Sequence, residues 1–167
     1  SVISRPICLE MTRPATTEFT VDTDLTQPVP VIAEDFELYF ERHQIREMTG
    51  TGKVFIAAQD KYSINAVYIM AHAALESGWG KSKIANIKNP PGHGVFDIAP
   101  MKFPWLFDSY FYMDSVDTVV YYVKRDYLTP EGKYWGGTPT LEAMNKSYTT
   151  DESWKFGIVS IMNRFWK

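Results

Sequence analysis

Apolar positions recur with helical spacing along most of this chain. In residues 33–48, AEDFELYFERHQIREM, the side chains of Phe36, Tyr39, Phe40 and His43 fall at i, i+3, i+4 and i+7. That spacing predicts one buried face of a helix. The TGTG at 49–52 predicts its stop, since Gly50 and Gly52 suit a C-cap and turn. KVFIAAQDKY predicts a second, short helix. Ser63 reads as the N-cap of a third, INAVYIMAHAALE, which is apolar nearly all round and therefore belongs in the core. Ala66, Ala71, Ala73 and Ala74 let neighbours approach it closely, and Gly78 and Gly80 end it. In SVDTVVYYVKRDYL the stripe Val116, Val119, Val120, Val123 and Tyr127 has helical spacing, which outweighs the strand preference of its β-branched residues. Thr138 and Pro139 read as N-cap and first residue of a helix through TLEAMNKSY. Asp151 reads as the cap of the last helix, with Trp154, Ile158, Ile161, Met162 and Phe165 on one face.

Two stretches break the pattern. Residues 1–30 are rich in Thr and Pro, and Pro14, Pro28 and Pro30 exclude a regular helix there. They predict an extended N-terminal arm or linker that lies against the domain formed by residues 31–167. Between Asn86 and Asp114 come Pro90, Pro91, Pro100 and Pro104, with Gly92 and Gly94. VFDI and SYFYM read as short strands between them. The expected fold class is α+β, mostly α, with a small β-hairpin/loop lobe inserted in a helical body.

Composition narrows the function classes. The chain has 167 residues, 45% hydrophobic and 22% charged, which suits one domain with a real core. A net charge of -3 offers no basic footprint for nucleic acid. Cys8 is the sole cysteine, so neither an intrachain disulfide nor a cysteine-based zinc site is expected. No apolar run reaches the roughly 18 residues of a membrane span, and no secretory leader is expected in the chain as it starts at Ser1. Aromatic residues are abundant at 15%, a composition that serves sugar-binding grooves as well as cores.

One carboxylate stands out. Glu76 ends the apolar third helix, just before Ser77-Gly78-Trp79-Gly80. The negative end of the helix dipole and the surrounding Ala73, Ala74, Leu75 and Trp79 both favour its protonated form. Lys81 would oppose them. Two readings follow: a structural Glu paired with Lys81 or a backbone donor, or a general acid. A carboxyl held against a Trp is how the acid of hen-type lysozyme keeps its proton. A glycosidase of that kind needs either a second carboxylate or attack by the substrate's own 2-acetamido group. Asp97 and Asp108, in the loop lobe, are better placed than Asp114, Asp117 and Asp126.

The stretch FIAAQDKYSINAVYIMAHAALESGWGKSKIA resembles the peptidoglycan-hydrolysing endo-β-N-acetylglucosaminidases, the mannosyl-glycoprotein endo-β-N-acetylglucosaminidase-like family. Their pattern is aromatic-Ile/Val-x-x-Ala, then Ala-His/Gln-Ala-x-Leu-Glu-Ser/Thr-Gly-x-Gly-x-Ser-x-Leu/Ile-Ala. Here it is met by Phe55, Ile56, Ala58, Ala71, His72, Ala73, Leu75, Glu76, Ser77, Gly78, Gly80, Ser82, Ile84 and Ala85. The family's Asn-hydrophobic-Phe/Tyr-Gly-Ile is matched by Val95, Phe96 and Ile98, with Asp97 in place of Gly. Its Tyr-Ala/Ser-Thr-Asp is matched by Tyr148, Thr150 and Asp151. The resemblance covers residues 34–166. It implies a lysozyme-like helical domain in which the small lobe closes one side of a cleft. Glu76 would be the general acid and Tyr148 would assist at the cleaved bond. The loop Glu that many members carry is missing, which leaves Asp108 or substrate assistance for the second role. Trp79, Phe96 and Tyr110 are candidate sugar-binding residues.

Other features carry less. His72 and Glu76 stand at i and i+4 with His93 in the following loop, but no two-histidine zinc spacing is present, so neither a metal nor a cofactor is expected. His72 reads as a buried histidine bonded to a backbone carbonyl. TGTGK at 49–53 lacks the spacing of a phosphate loop and reads as a helix connector. The expected activity is hydrolysis of the β-1,4 bond between N-acetylglucosamine and N-acetylmuramic acid, with peptidoglycan glycan strands as partner. Its place would be extracellular, in the cell wall or on a virion, and the arm is the candidate contact to other wall or virion proteins. Rival readings are a muramidase or lytic transglycosylase with the same Glu, and a wall-binding or virion structural module without activity.

Overall fold

The computed structural model describes residues 18–81 and 112–167, without the side chains of residues 112–115. Among these residues lie helices α1 (Ala33–Arg42), α2 (Gly52–Tyr62), α3 (Ala66–Ser77), α4 (Tyr112–Tyr127), α5 (Leu141–Tyr148) and α6 (Trp154–Arg164), and no strand. The mostly helical body is therefore as expected. VFDI lies outside the described residues. SYFYM straddles the border, and its Tyr112 and Met113 already belong to α4.

α3 is the hub. Its residues 66–74 and Ser77 are all buried, as an all-round apolar sequence requires. α2 and α6 pack closely along it, with α4 touching it more lightly, and α1 and α4 lie on α2. The core is aromatic where α1, α2 and α6 converge: Phe36 lies 5.3 Å from Phe55 and 4.8 Å from Phe165 between ring centres. The valine stripe of α4 and the apolar face of α6 are buried as the spacing predicts.

Helix ends differ from expectation for local reasons. α1 stops at Arg42, well before TGTG; His43 is its exposed C-cap, not a core residue, and Gln44 takes a left-handed φ of 55°. A continued helix would have turned Ile45 about 180° away from Phe36, at 100° per residue. The turn instead buries Ile45 and Met48. Glu37 then receives the amides of Gly50 and Gly52, at 2.5 and 2.7 Å, so a carboxylate sits at the positive end of α2. A Cβ on Gly52 would stand 2.3 Å from the carbonyl oxygen of Ala33, which excludes any other residue there. TGTG is a connector, as expected, and it opens α2 as well as following α1.

Ser63 is not the N-cap of α3. It is the left-handed C-cap of α2, and Asn65 caps α3 by accepting from the amide of Tyr68 at 3.0 Å. The backbone of the N-terminal segment sets that boundary, because the amide of Asn65 donates to the carbonyl of Leu25. Thr138 and Pro139 are likewise displaced by two residues. Thr140 caps α5, and the carbonyl of Pro139 accepts from the amide of Leu25.

Residues 18–30, the described part of the expected arm, run through turns at 20–23 and 24–27 and are built into the core through Phe19, Leu25 and Val29. Asn163 clamps Phe19 with one bond each way, both 2.9 Å. Buried Gln59 does the same for Val29, and its Oε1 also accepts from the amide of Ala66. One side chain thus ties the segment to the start of α3. Replacing Gln59 with Leu removes three buried hydrogen bonds and strands their backbone partners, at a cost of about 3 kcal/mol. Urea unfolding measures it, and a loss below about 1 kcal/mol would show that the segment is held by apolar packing alone.

Candidate active site

Glu76 is where the buried helix reaches the surface. Its neighbours on α3 are buried up to Ala74, Leu75 is 37% exposed, and the Glu76 side chain is 17% exposed. The helix ends one residue later. The Ser77 hydroxyl donates to the carbonyl of Ala73 at 2.5 Å and accepts from the amide of Gly80 at 2.9 Å. Gly78, Trp79 and Gly80 follow with φ of 57°, 60° and 80°. Three left-handed residues in succession turn the chain sharply, which is the physical reason for Ser-Gly-x-Gly after Glu76. Nothing lies within 4 Å of a Cβ built on Gly78, so its requirement is conformational.

The other side of the site comes from the α5–α6 junction. A groove of about 420 Å³ is lined by Leu75, Glu76, Tyr148, Thr149, Asp151, Ser153, Trp154 and Gly157. That volume suits a small-ligand cleft. The indole N–H of Trp154 donates to Oε1 of Glu76 at 3.0 Å. The Trp154 ring stacks on Tyr148, with centres 4.6 Å apart and planes 21° from parallel. Buried Asn145 holds the junction: its amide donates to the carbonyls of Thr149 and Asp151, and its oxygen accepts from the amide of Lys155. Asp151 accepts from the amide and hydroxyl of Ser153, which hold its carboxyl below the usual carboxylate range. The sequence predicts Asp151 as the cap of α6, but the N-cap is Ser153 and Asp151 stands two residues earlier, bonded to Ser153 and facing the groove with an ionised carboxylate.

Behind Glu76 lies His72, one turn earlier on α3 and 2% exposed. Its ring nitrogens meet two phenols, Nδ1 with Tyr68 at 2.8 Å and Nε2 with Tyr148 at 2.9 Å. The expected backbone carbonyl partner is wrong: the helix uses its own carbonyls, and the ring points out of α3 toward α5. Burial drives the His72 pKa down to about 3. The 3.9 Å approach of Nε2 to Oε1 of Glu76 is therefore not an ion pair at neutral pH. Burial also pushes the Tyr68 phenol far up and the Tyr127 phenol to about 12, so the interior side of the site is neutral.

Of the residues predicted from sequence, the structure brings Glu76 and Tyr148 together at one groove. Trp79 is half-buried and does not line it; it packs 6.2 Å from Tyr39 with the Arg164 guanidinium 5.6 Å over its ring. Asp108, Phe96 and Tyr110 lie outside the described residues. Lys81 is exposed beyond the turn. Trp154 was legible only as a core residue. The one hint was chemical: a buried indole needs an acceptor, but nothing in the sequence pairs position 154 with position 76. Among the described residues, no group of three His, Cys, Asp or Glu could share a metal ion, and no helix is long and apolar enough to cross a membrane.

The family model described as mannosyl-glycoprotein endo-beta-N-acetylglucosaminidase matches residues 52–167. The chain belongs to this glucosaminidase family. A putative endo-beta-N-acetylglucosaminidase of Streptococcus pneumoniae (serotype 4) is 32% identical over 146 residues, 83% of this chain and 21% of the relative. A beta-N-acetylglucosaminidase of Bacillus subtilis (strain 168) is 30% identical over 119 residues, 65% of this chain and 12% of the relative. This glucosaminidase-family chain thus spans about a fifth or less of the curated relatives it matches. Among solved structures, S. aureus autolysin E with the muropeptide NAM-L-Ala-D-iGlu superposes with a TM-score of 0.64 at 22% identity, over 87% of this chain and 71% of that one. A catalytic mutant of autolysin E with the disaccharide NAG-NAM superposes with a TM-score of 0.64 at 19% identity, over 95% and 74%. These likenesses show that this glucosaminidase-family chain has the autolysin fold.

The neutrality of His72 has a measurable consequence. The unfolded chain binds a proton on this histidine below its ordinary pKa of 6.5, while the folded chain does not until about pH 3. Folding stability is therefore fully present above pH 6.5 and falls as pH drops toward 3, by about 1.4 kcal/mol per unit from this group. Urea unfolding between pH 7 and pH 4 should show that component in the wild type and its loss in His72→Gln; equal slopes would mean that the imidazole charges in the folded state.

Proposed function

We propose that this domain hydrolyses the β-1,4 glycosidic bond between N-acetylglucosamine and N-acetylmuramic acid in peptidoglycan, with Glu76 as general acid. The observation that carries the reading is the placement of Glu76. A carboxyl at the negative end of a buried helix opens into a disaccharide-scale groove and is held from behind by an indole donor. The negative end of the helix disfavours an anion, as a general acid requires. Family membership and the ligands carried by autolysin E, a muropeptide and NAG-NAM, support a peptidoglycan glycan as substrate.

The chemistry runs in two parts. Glu76 protonates the leaving glycosidic oxygen as the C1–O bond breaks, and positive charge develops at the anomeric carbon. The 2-acetamido oxygen of the sugar on the non-reducing side, or a carboxylate on the far side, meets that charge; the Glu76 carboxylate then takes a proton from the attacking water. Tyr148, fixed between His72 and Trp154, presents its phenol to the sugar at the cleaved bond. Asp151 adds an ionised carboxylate along the groove. Asp108 remains the proposed partner from the loop lobe. A peptidoglycan substrate would put the site of action in the cell wall or outside the cell.

Glu76→Gln should fold as the wild type and lose about a thousandfold in kcat on purified peptidoglycan. Tyr148→Phe keeps the stack on Trp154 and should lose roughly tenfold or more. Mass spectrometry of the digest should find N-acetylglucosamine at the new reducing ends. Ends in N-acetylmuramic acid would make the domain a muramidase, and anhydro ends a lytic transglycosylase. Equal, negligible rates for wild type and Glu76→Gln would leave only a wall-binding module.

A further inference from the structure

We infer that Trp154 is the positioning residue of the acid: its indole N–H fixes Oε1 of Glu76 as the accepting oxygen and leaves the transferable proton on Oε2. The inference rests on the proposed role of Glu76 and deepens it. An indole nitrogen donates and never accepts. In a protonated carboxyl, the carbonyl-type oxygen is the better acceptor. The donor at 3.0 Å from Oε1 therefore selects that oxygen, and the hydroxyl falls to the other.

The donor is itself well held. Trp154 is 7% exposed, its amide donates to the carbonyl of Asp151, and its ring stacks on Tyr148 and meets His72 edge-on at 5.4 Å. One rigid side chain thus sets both the rotation of the acid and the plane of the assisting phenol. Among the described residues, the titratable groups near Glu76 are His72 and Tyr68 on its own helix, Tyr148 at the end of α5 and Asp151 before α6. His72 stays neutral, so it does not complicate the pH range in which the acid works.

Trp154→Phe removes the N–H and keeps an aromatic ring beside Tyr148. On purified peptidoglycan it should lower kcat roughly ten- to a hundredfold with KM within about twofold. Its high-pH limb should also move upward, because a lost hydrogen bond to the carboxylate weakens the ionised form. A merely structural role would lower folded fraction or stability without moving that limb. In the wild type, the Trp154 indole N–H resonance, assigned by its disappearance in Trp154→Phe, should titrate with the same midpoint as the limb and become pH-independent in Glu76→Gln. If Trp154→Phe does not fold, the resonance is assigned by its nuclear Overhauser contacts to Tyr148, and the wild-type and Glu76→Gln spectra decide. A folded Trp154→Phe with wild-type kcat and limb, or an indole resonance indifferent to Glu76→Gln, overturns the inference. Activity retained in Glu76→Gln overturns the acid assignment instead, a separate result.

Discussion

The site depends on how a single carboxyl is solvated at the wrong end of a helix. α3 carries no basic residue in its last turn and is buried around its whole circumference as far as Ala74. Its dipole ends in carbonyls that repel an anion. A side chain there needs a donor from another element. An arginine or lysine would supply one at the cost of locking the group as a carboxylate. Trp154 supplies a neutral donor, which can serve both protonation states because it carries no charge to favour one strongly. The same logic explains the neutral histidine one turn back. A charged His72 beside Glu76 would hold the acid ionised, and burial between two phenols prevents that.

Precision at the groove comes from short-range devices on both sides. On the α3 side, Ser77 bonds back to Ala73 and forward to Gly80, and the chain turns through three left-handed residues. Trp79 is the costly member, since a bulky residue in that conformation gives up about 1 kcal/mol. Its ring recovers part of this by packing beside Tyr39 and under Arg164. On the other side, Asn145 gathers the carbonyls of Thr149 and Asp151 and the amide of Lys155. The segment that carries Tyr148, Asp151 and Trp154 is thereby tied to the end of α5 through a buried amide.

What could be read from sequence follows the range of the interactions. The helices of the described body were legible because their apolar spacing is a local record of burial; Val116 to Tyr127 shows it even against β-branched propensity. Their ends were less so. Ser63 and Thr138 have the right chemistry for N-caps, yet Asn65 and Thr140 do the work, because the backbone of Leu25 bonds at Asn65 and at Pro139. A segment distant in sequence sets those boundaries, and no local window contains it. The end of α1 was misjudged for a similar reason, since Ile45 had to reach the core by a turn that periodicity does not show. At the site, Glu76 and Tyr148 were legible through their motifs. The Trp154 donor and the Tyr148 phenol on His72 were not, because both join residues 76 to 78 positions apart.

That separation has a consequence for how the site is made. Glu76 and His72 come from α3, whereas Tyr148 and Trp154 frame the α5–α6 turn, and the two halves meet only when α6 lies along α3. The contact is close enough that Gly157 faces the Leu75 methyls with no side chain of its own, at 3.7 Å from a built Cβ. Assembly of the Glu76–Trp154 contact is thus coupled to the closing of the hydrophobic core, through Ile158, Ile161, Met162 and Phe165 on the next turns of the same helix. A partly folded chain would have α3 without its donor, and its carboxyl would be an ordinary solvated glutamate. The chemistry arises from tertiary packing as much as from the motif, which is why a match to the α3 signature alone does not define a working site.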